Sequence, residues 1–275
     1  TSLTQGSNLP NGVIVHFNIK DFDDKKDTLA LYFKEQNGAL IKKYSSTDKE
    51  DKLEIKVGGN TFVWDTRYKG AEILDGMIFW SASFSGAKAV PGNYKVILEK
   101  NGITQEQSFE ILPDPRTEVT LSDMKRQFDF VNLVNASADK AHKAINNIQI
   151  LRKKLEDFEM IYKENKNLNT LLIKAEKLNH SLSEIEKALY QTQNKSNQDP
   201  LNFPIRLTNK LGHLNQLVTS NDFPPTDQDE IVRKYLSKEI DEKMSEYKKL
   251  ITEDLKSFNK EFSELNLDYL TLNLN

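Results

Sequence analysis

The chain has 275 residues, enough for about two domains of ordinary size, and its 38 basic and 41 acidic side chains leave a net charge of -3. That balance provides no global field to draw it to nucleic acid or to an anionic membrane. With no cysteine, it has no disulfide, thiolate metal site or cysteine nucleophile, and the compartment stays open.

The chain starts at Thr1, with neither an initiator Met nor a charged segment leading into an unbroken apolar stretch, and reads as an excised or processed fragment. Its longest mostly apolar run, 76 to 84, is far below the roughly 20 residues of a membrane-spanning helix, so no span is expected. From Gly12 to Leu112 apolar residues recur at every second position, as in Val13, Val15, Phe17 and Ile19, the period of half-buried strands. The segments 12 to 19, 28 to 35, 39 to 44, 52 to 57, 61 to 65, 77 to 85 and 93 to 111 are expected as strands. The last is folded into a hairpin at Asn101-Gly102, a pair that tolerates positive φ. Glycine, proline and asparagine clusters punctuate them at the spacing of a sandwich, so an immunoglobulin-like β-sandwich is expected over 1 to 113.

Pro113 and Pro115 end the β pattern, because proline denies a backbone donor and holds its neighbour extended. Beyond them the period changes to 3.6 and Gly212 is the one glycine after Gly102, so 114 to 275 is expected to be an elongated four-helix bundle. A first helix from Thr120 to about Asn165 carries Val131, Val134, Ala138, Ala141, Ile145, Ile148, Leu151, Leu155 and Phe158 on one face. A second, about 167 to 194, carries Leu171, Ala175, Leu178, Leu182, Ile185 and Leu189 at alternating spacings of four and three. Pro204 opens a third, and Thr226 caps a fourth whose stripe runs from Val232 through Leu236, Ile240, Met244, Tyr247, Ile251, Leu255 and Phe258 to Phe262. Gly212 lies inside the third helix, where glycine costs about 1 kcal/mol against alanine; close approach of a neighbouring helix is the simplest reason for it. The alternating leucines of 265 to 274 fit no assigned element.

His16, His142, His180 and His213 are scattered, with no second ligand at metal spacing, so no metal site is expected. No phosphate loop, nucleophile elbow or kinase signature occurs, so no cofactor and no catalytic residue is assigned. The cluster Trp64-Asp65-Thr66-Arg67-Tyr68 has two readings. In one, Trp64, Tyr68, Trp80 and Tyr94 are the aromatics of a carbohydrate site, with Asp65 and Arg67 bonding sugar hydroxyls. In the other, which packing favours, Trp64 enters the core, Asp65 caps a turn and Arg67 pairs with it.

Four strings are more specific: Phe62-Val63-Trp64-Asp65-Thr66-Arg67-Tyr68, Gly76-Met77-Ile78-Phe79-Trp80, Gly86-Ala87-Lys88-Ala89-Val90-Pro91-Gly92-Asn93-Tyr94 and Pro204-Ile205-Arg206-Leu207-Thr208-Asn209-Lys210-Leu211. With them the chain resembles, from residue 10 onward, the C-terminal region of bacterial sortilin-like β-propeller proteins of the BNR or Asp-box type, often labelled glycosyl hydrolases. The Trp-Asp and Pro-Gly-x-Tyr portions are also similar to the Ig-like domain of flagellar hook-capping proteins. The Asp-box signature itself is absent from the sequence, so the resemblance carries over no catalytic residue. It implies an extracellular, periplasmic or cell-surface parent whose propeller precedes this region and packs on it. The function expected is a non-catalytic accessory module for domain packing or protein-protein contact, and the alternative is a carbohydrate-binding sandwich.

Overall fold

The structure is a computed structural model that describes residue 6 and residues 8–265. Six strands in two sheets come first, and helices follow. The described chain forms two compact units that interleave in sequence. The first holds residues through 70, 85–132 and 221–224; the second holds 71–84, 133–220 and 225 onward.

In the first unit, β1 (Val13–Ile19) pairs antiparallel with β4 (Gly58–Trp64). The other sheet has the order β3-β2-β5-β6, from β2 (Leu29–Glu35), β3 (Leu40–Ser45), β5 (Gly92–Lys100) and β6 (Ile103–Ile111). The expected hairpin forms: Asn101 and Gly102 take φ of 51° and 84°, the two positive values of a type I′ turn, whose twist matches that of the strands it joins. Both sheets feed one apolar cluster. Phe33 of β2 stacks on Trp64 of β4 at 4.5 Å between ring centroids, and Tyr44, Phe62, Tyr94 and Phe109 surround the pair. Such pairs add about 0.5–1.5 kcal/mol each beyond the area they bury.

Two expected strands do not form. Within 52–57, among the described residues, only Lys52 bridges, to Ser45, and the side chain of buried Asn60 occupies both the N–H and the C=O of Lys56, closing that residue to a strand partner. Among the described residues the segment 77–85 finds no strand partner; its residues 77–84 belong to the second unit, where side chains and a helix carbonyl take several of their backbone groups.

Helix α1 (Leu121–Tyr162) starts on the hydroxyl of Thr120, which accepts from the Asp123 N–H at 3.1 Å, while the Asp123 carboxylate accepts from the Thr120 N–H. The described second unit has four further helices. In α2 (Asn169–Leu189) all six expected seam residues are buried. Next is α3 (Leu207–Val218), which starts three residues after Pro204 instead of at it; the Pro204 carbonyl accepts from Gln191 Nε2 at 2.9 Å. Thr226 and Asp229 form a complete capping box for α4 (Asp227–Lys249). A π-helical turn, Leu250–Asp254, joins α4 to α5 (Leu255–Glu264). Between α1 and α2, Glu186 is buried and its carboxylate receives Arg152 Nη1 at 2.6 Å and Gln149 Nε2 at 2.8 Å, so the buried charge is both paired and hydrogen-bonded. Of the leucine-rich tail, all but Leu265 lies outside the described residues.

Gly212 is in close contact with a loop, not a helix. A Cβ there would stand 2.6 Å from Phe84 Cζ and 2.9 Å from Ala82 Cβ. Gly212→Ala should therefore destabilise the second unit by about 1–3 kcal/mol despite alanine's better helix propensity, a sign that urea denaturation reads directly.

Candidate functional site

The four specific strings pair off two by two. In the first unit, the chain leaving β4 turns at Asp65, whose Oδ1 accepts from the Arg67 N–H at 3.0 Å, and Thr66 is held at φ 63°, a value a β-branched residue rarely adopts. That turn is clamped by the string 86–94. Ala89 N–H donates to Thr66 O at 2.7 Å, Tyr68 N–H to Ala87 O at 2.8 Å, and Arg67 Nη1 to Gly86 O at 3.0 Å. Asp65 caps the turn as expected, whereas Arg67 reaches a carbonyl of the facing segment instead of Asp65. Gly86 sits so close that a Cβ would lie 1.9 Å from the carbonyl oxygen of Tyr68.

In the second unit the other two strings meet. Asn209 on α3 is 4% exposed and grips the backbone of Trp80 from both sides: its Oδ1 accepts from the Trp80 N–H at 2.7 Å, and its Nδ2 donates to Trp80 O at 2.8 Å. Ser83 N–H donates to Gly212 O at 3.0 Å, Asn215 Nδ2 to Ser83 O at 2.9 Å, and the Ile78 N–H to the Tyr190 hydroxyl at 2.8 Å. Two amide side chains, a phenol hydroxyl and a helix carbonyl thus supply the partners that a strand neighbour would otherwise provide, satisfying backbone groups that would be costly to leave unpaired.

The four aromatics considered for a carbohydrate site have different surroundings. Trp64 is fully buried, with its Nε1 donating to Arg67 O at 3.1 Å, so neither face of its ring is open to a ligand. Trp80, 42% exposed, belongs to the second unit. Tyr68 and Tyr94 meet in the first unit at an open groove of about 550 Å³, lined also by Glu35, Asn37, Asn93, Lys125 and Phe128. Glu35 Oε1 accepts from the Tyr68 hydroxyl at 2.8 Å, and Tyr94 donates to Val90 O. Burial, reinforced by hydrogen bonding to Glu35 and by its charge, pushes the Tyr68 phenol far above its ordinary range. Burial and the same carboxylate raise Tyr94 as well. Both phenols therefore stay protonated and serve as donors. Glu35 carried no sequence signal, because its role depends on a residue 33 positions away.

His142 is another residue whose place in the fold the sequence did not reveal. It is fully buried on α1 against Phe79 and Phe84, its Nδ1 bonded to Glu72 O and its Nε2 without a hydrogen-bond partner. A carbonyl partner requires the proton on Nδ1. Burial lowers its pKa below the usual 6.5, while the Glu72 carbonyl and the charges of Asp139 and Glu72 oppose that shift in part. The unfolded chain therefore binds the extra proton first. Stability is complete above the unfolded value and falls as the pH drops below about 6.5. The melting temperature of the second unit should decline between about pH 7 and pH 5, and His142→Gln should flatten that slope in thermal melts.

Among the described residues no group of three or more His, Asp and Glu is placed to hold a metal ion, and no helix is long and apolar enough to cross a membrane. No family model, curated protein or solved structure matches the chain.

Proposed function

We propose that the chain is a non-catalytic accessory module of a larger secreted or surface-exposed β-propeller protein, serving domain packing or protein-protein contact, with its first unit an immunoglobulin-like sandwich. The observation that carries this reading is the pairing of the four strings with one another. Residues that would mark an active site by their specificity are instead engaged in turns, clamps and backbone bonds inside each unit. The sandwich is supported by the order β3-β2-β5-β6 opposite β1-β4 around one core, and by Tyr94 at the start of β5 bonding back to Val90 O in the manner of a tyrosine corner. The test is a turnover panel of glycosides, peptides and phosphoesters with the purified chain, followed by binding to the propeller of its parent. No turnover together with propeller binding is expected; hydrolysis that disappears on changing a residue of this chain would overturn the proposal.

The groove at Tyr68 and Tyr94 favours a second reading, carbohydrate binding, because it joins aromatic faces to Glu35, Asn37 and Asn93 as hydrogen-bonding groups. A glycan array separates the two. A hit abolished by Phe128→Ala in a folded protein supports the sugar site, and a blank array removes it.

A further inference from the structure

The two outer edges of the four-stranded sheet are treated differently. At the β3 edge the pairing register with β2 shifts between Phe33 and Lys34, and the strand carries Lys42 and Lys43, both devices that discourage another strand from adding on. At the other edge β6 has nine residues, with no proline, lysine or register shift from Gly92↔Ile111 to Lys100↔Ile103. Seven of its residues are exposed and the other two are partly so. Because Lys100 and Ile103 close a two-residue turn, Ile103 and every second residue after it direct their N–H and C=O groups toward β5. Thr104, Glu106, Ser108 and Glu110 present theirs at the open edge.

We infer that β6 is a self-association edge, on which a second copy of this chain adds its own β6 antiparallel about a two-fold axis at Gln107, making one continuous eight-stranded sheet. The charges select that register. Centred on Gln107, Thr104 faces Glu110 of the second copy, Glu106 faces Ser108, Gln105 faces Phe109 and Ile103 faces Ile111, so every β6 residue is used and no like charges meet. Sliding two residues one way sets Glu106 against Glu106, and sliding the other way sets Glu106 against Glu110 twice, each a repulsive pair. Residues opposite each other share face parity, so the core sides of both sheets stay on the same side. Lys95 on β5 already neutralises Glu106, at 2.8 Å, which lowers the remaining repulsion between the two acidic edges.

The register sets the test. Gln107 would oppose itself in a non-hydrogen-bonded pair, where Cα atoms stand about 4.5 Å apart, within the range of a disulfide. The chain contains no other cysteine, so a single introduced thiol can cross-link only between copies. Mild oxidation of Gln107→Cys should yield covalent dimer, and Gln105→Cys, which faces Phe109, should yield little. In sedimentation velocity across the micromolar range the unmodified chain should dimerise reversibly. Ser108→Pro, which removes an edge donor while leaving the β5 ladder intact, should lose the dimer, and Gln107→Glu should weaken it severalfold. A chain monomeric throughout that range, a dimer indifferent to Ser108→Pro, or equal cross-linking of the two cysteine variants would each overturn the inference. If the proline variant fails to fold, the cysteine pair still decides. None of these outcomes depends on whether a propeller binds.

Discussion

Trp64→Ala should lower the stability of the first unit by about 3–5 kcal/mol, the range for emptying a fully enclosed aromatic site. The loss combines the transfer energy of the indole, a cavity beside Phe33, and an Arg67 carbonyl left without its Nε1 donor. The collapse of neighbours that softens such losses is restricted here, because Tyr94 and Phe109 already press on one another at 5.9 Å between centroids. Trp64→Phe should cost less, since a phenyl ring keeps the stack and gives up only the bond and part of the volume. Urea denaturation measures both. Trp64 and Trp80 are the two tryptophans, so a Trp80→Phe background makes the intact first unit the sole source of the signal. For the alanine and phenylalanine variants, which lack the Trp64 indole, far-ultraviolet dichroism replaces fluorescence. A loss under 1 kcal/mol would be incompatible with the stacked, enclosed position described for the ring.

Gly86→Ala should be nearly as damaging, costing about 3 kcal/mol or more, for a reason unrelated to backbone flexibility. No positive φ is needed at this glycine; what it requires is the absence of a side chain. A methyl group 1.9 Å from the Tyr68 carbonyl oxygen and 2.5 Å from its carbon meets backbone on both counts, so no rotamer change relieves it. The segments 65–69 and 86–89 would have to separate, breaking the bonds from Tyr68 to Ala87 and from Ala89 to Thr66. Gly212→Ala is milder because its nearest obstacle is the far end of the Phe84 ring, which a side-chain rotation can shift, and the Ala82 methyl stands farther off at 2.9 Å. Parallel denaturation of the two variants should rank Gly86→Ala as the worse, and the reverse order would show that the 65–69 turn is soft.

Elements with a regular period were legible in the sequence. The stripe of α2 emerged residue for residue, and the Asn-Gly hairpin and the Thr226 cap formed where local chemistry required them. These features depend on near neighbours, and the sequence contains their neighbours. The segment 77–85 looked like a strand because Phe79, Ala82 and Phe84 are apolar, but a strand also needs a partner. Here Asn209, Asn215 and Tyr190 occupy its backbone groups from more than 100 residues away. The groove was half legible. Tyr68 and Tyr94 stand out in the sequence as aromatics beside turns, whereas Glu35 and Phe128, which complete it, come from a strand and a helix with no local reason to meet. Trp64 was legible as a core residue once a strand was assumed around it.

The π-helical turn between α4 and α5 reconciles the stripe with the helix. From Val232 to Phe262 the apolar positions recur at about 3.75 residues, so an unbroken α-helix would carry the last of them about a third of a turn off the buried side. The widened turn at Leu250–Asp254 accommodates roughly one surplus residue, and Phe258 is buried beyond it. Deleting exposed Thr252 should thus convert the turn to ordinary α geometry without rotating Leu255, Phe258 or Phe262 out of place. A single-residue deletion within α4 itself would misalign everything downstream through α5, which makes the π-helical turn the place between α4 and α5 where chain length is adjustable.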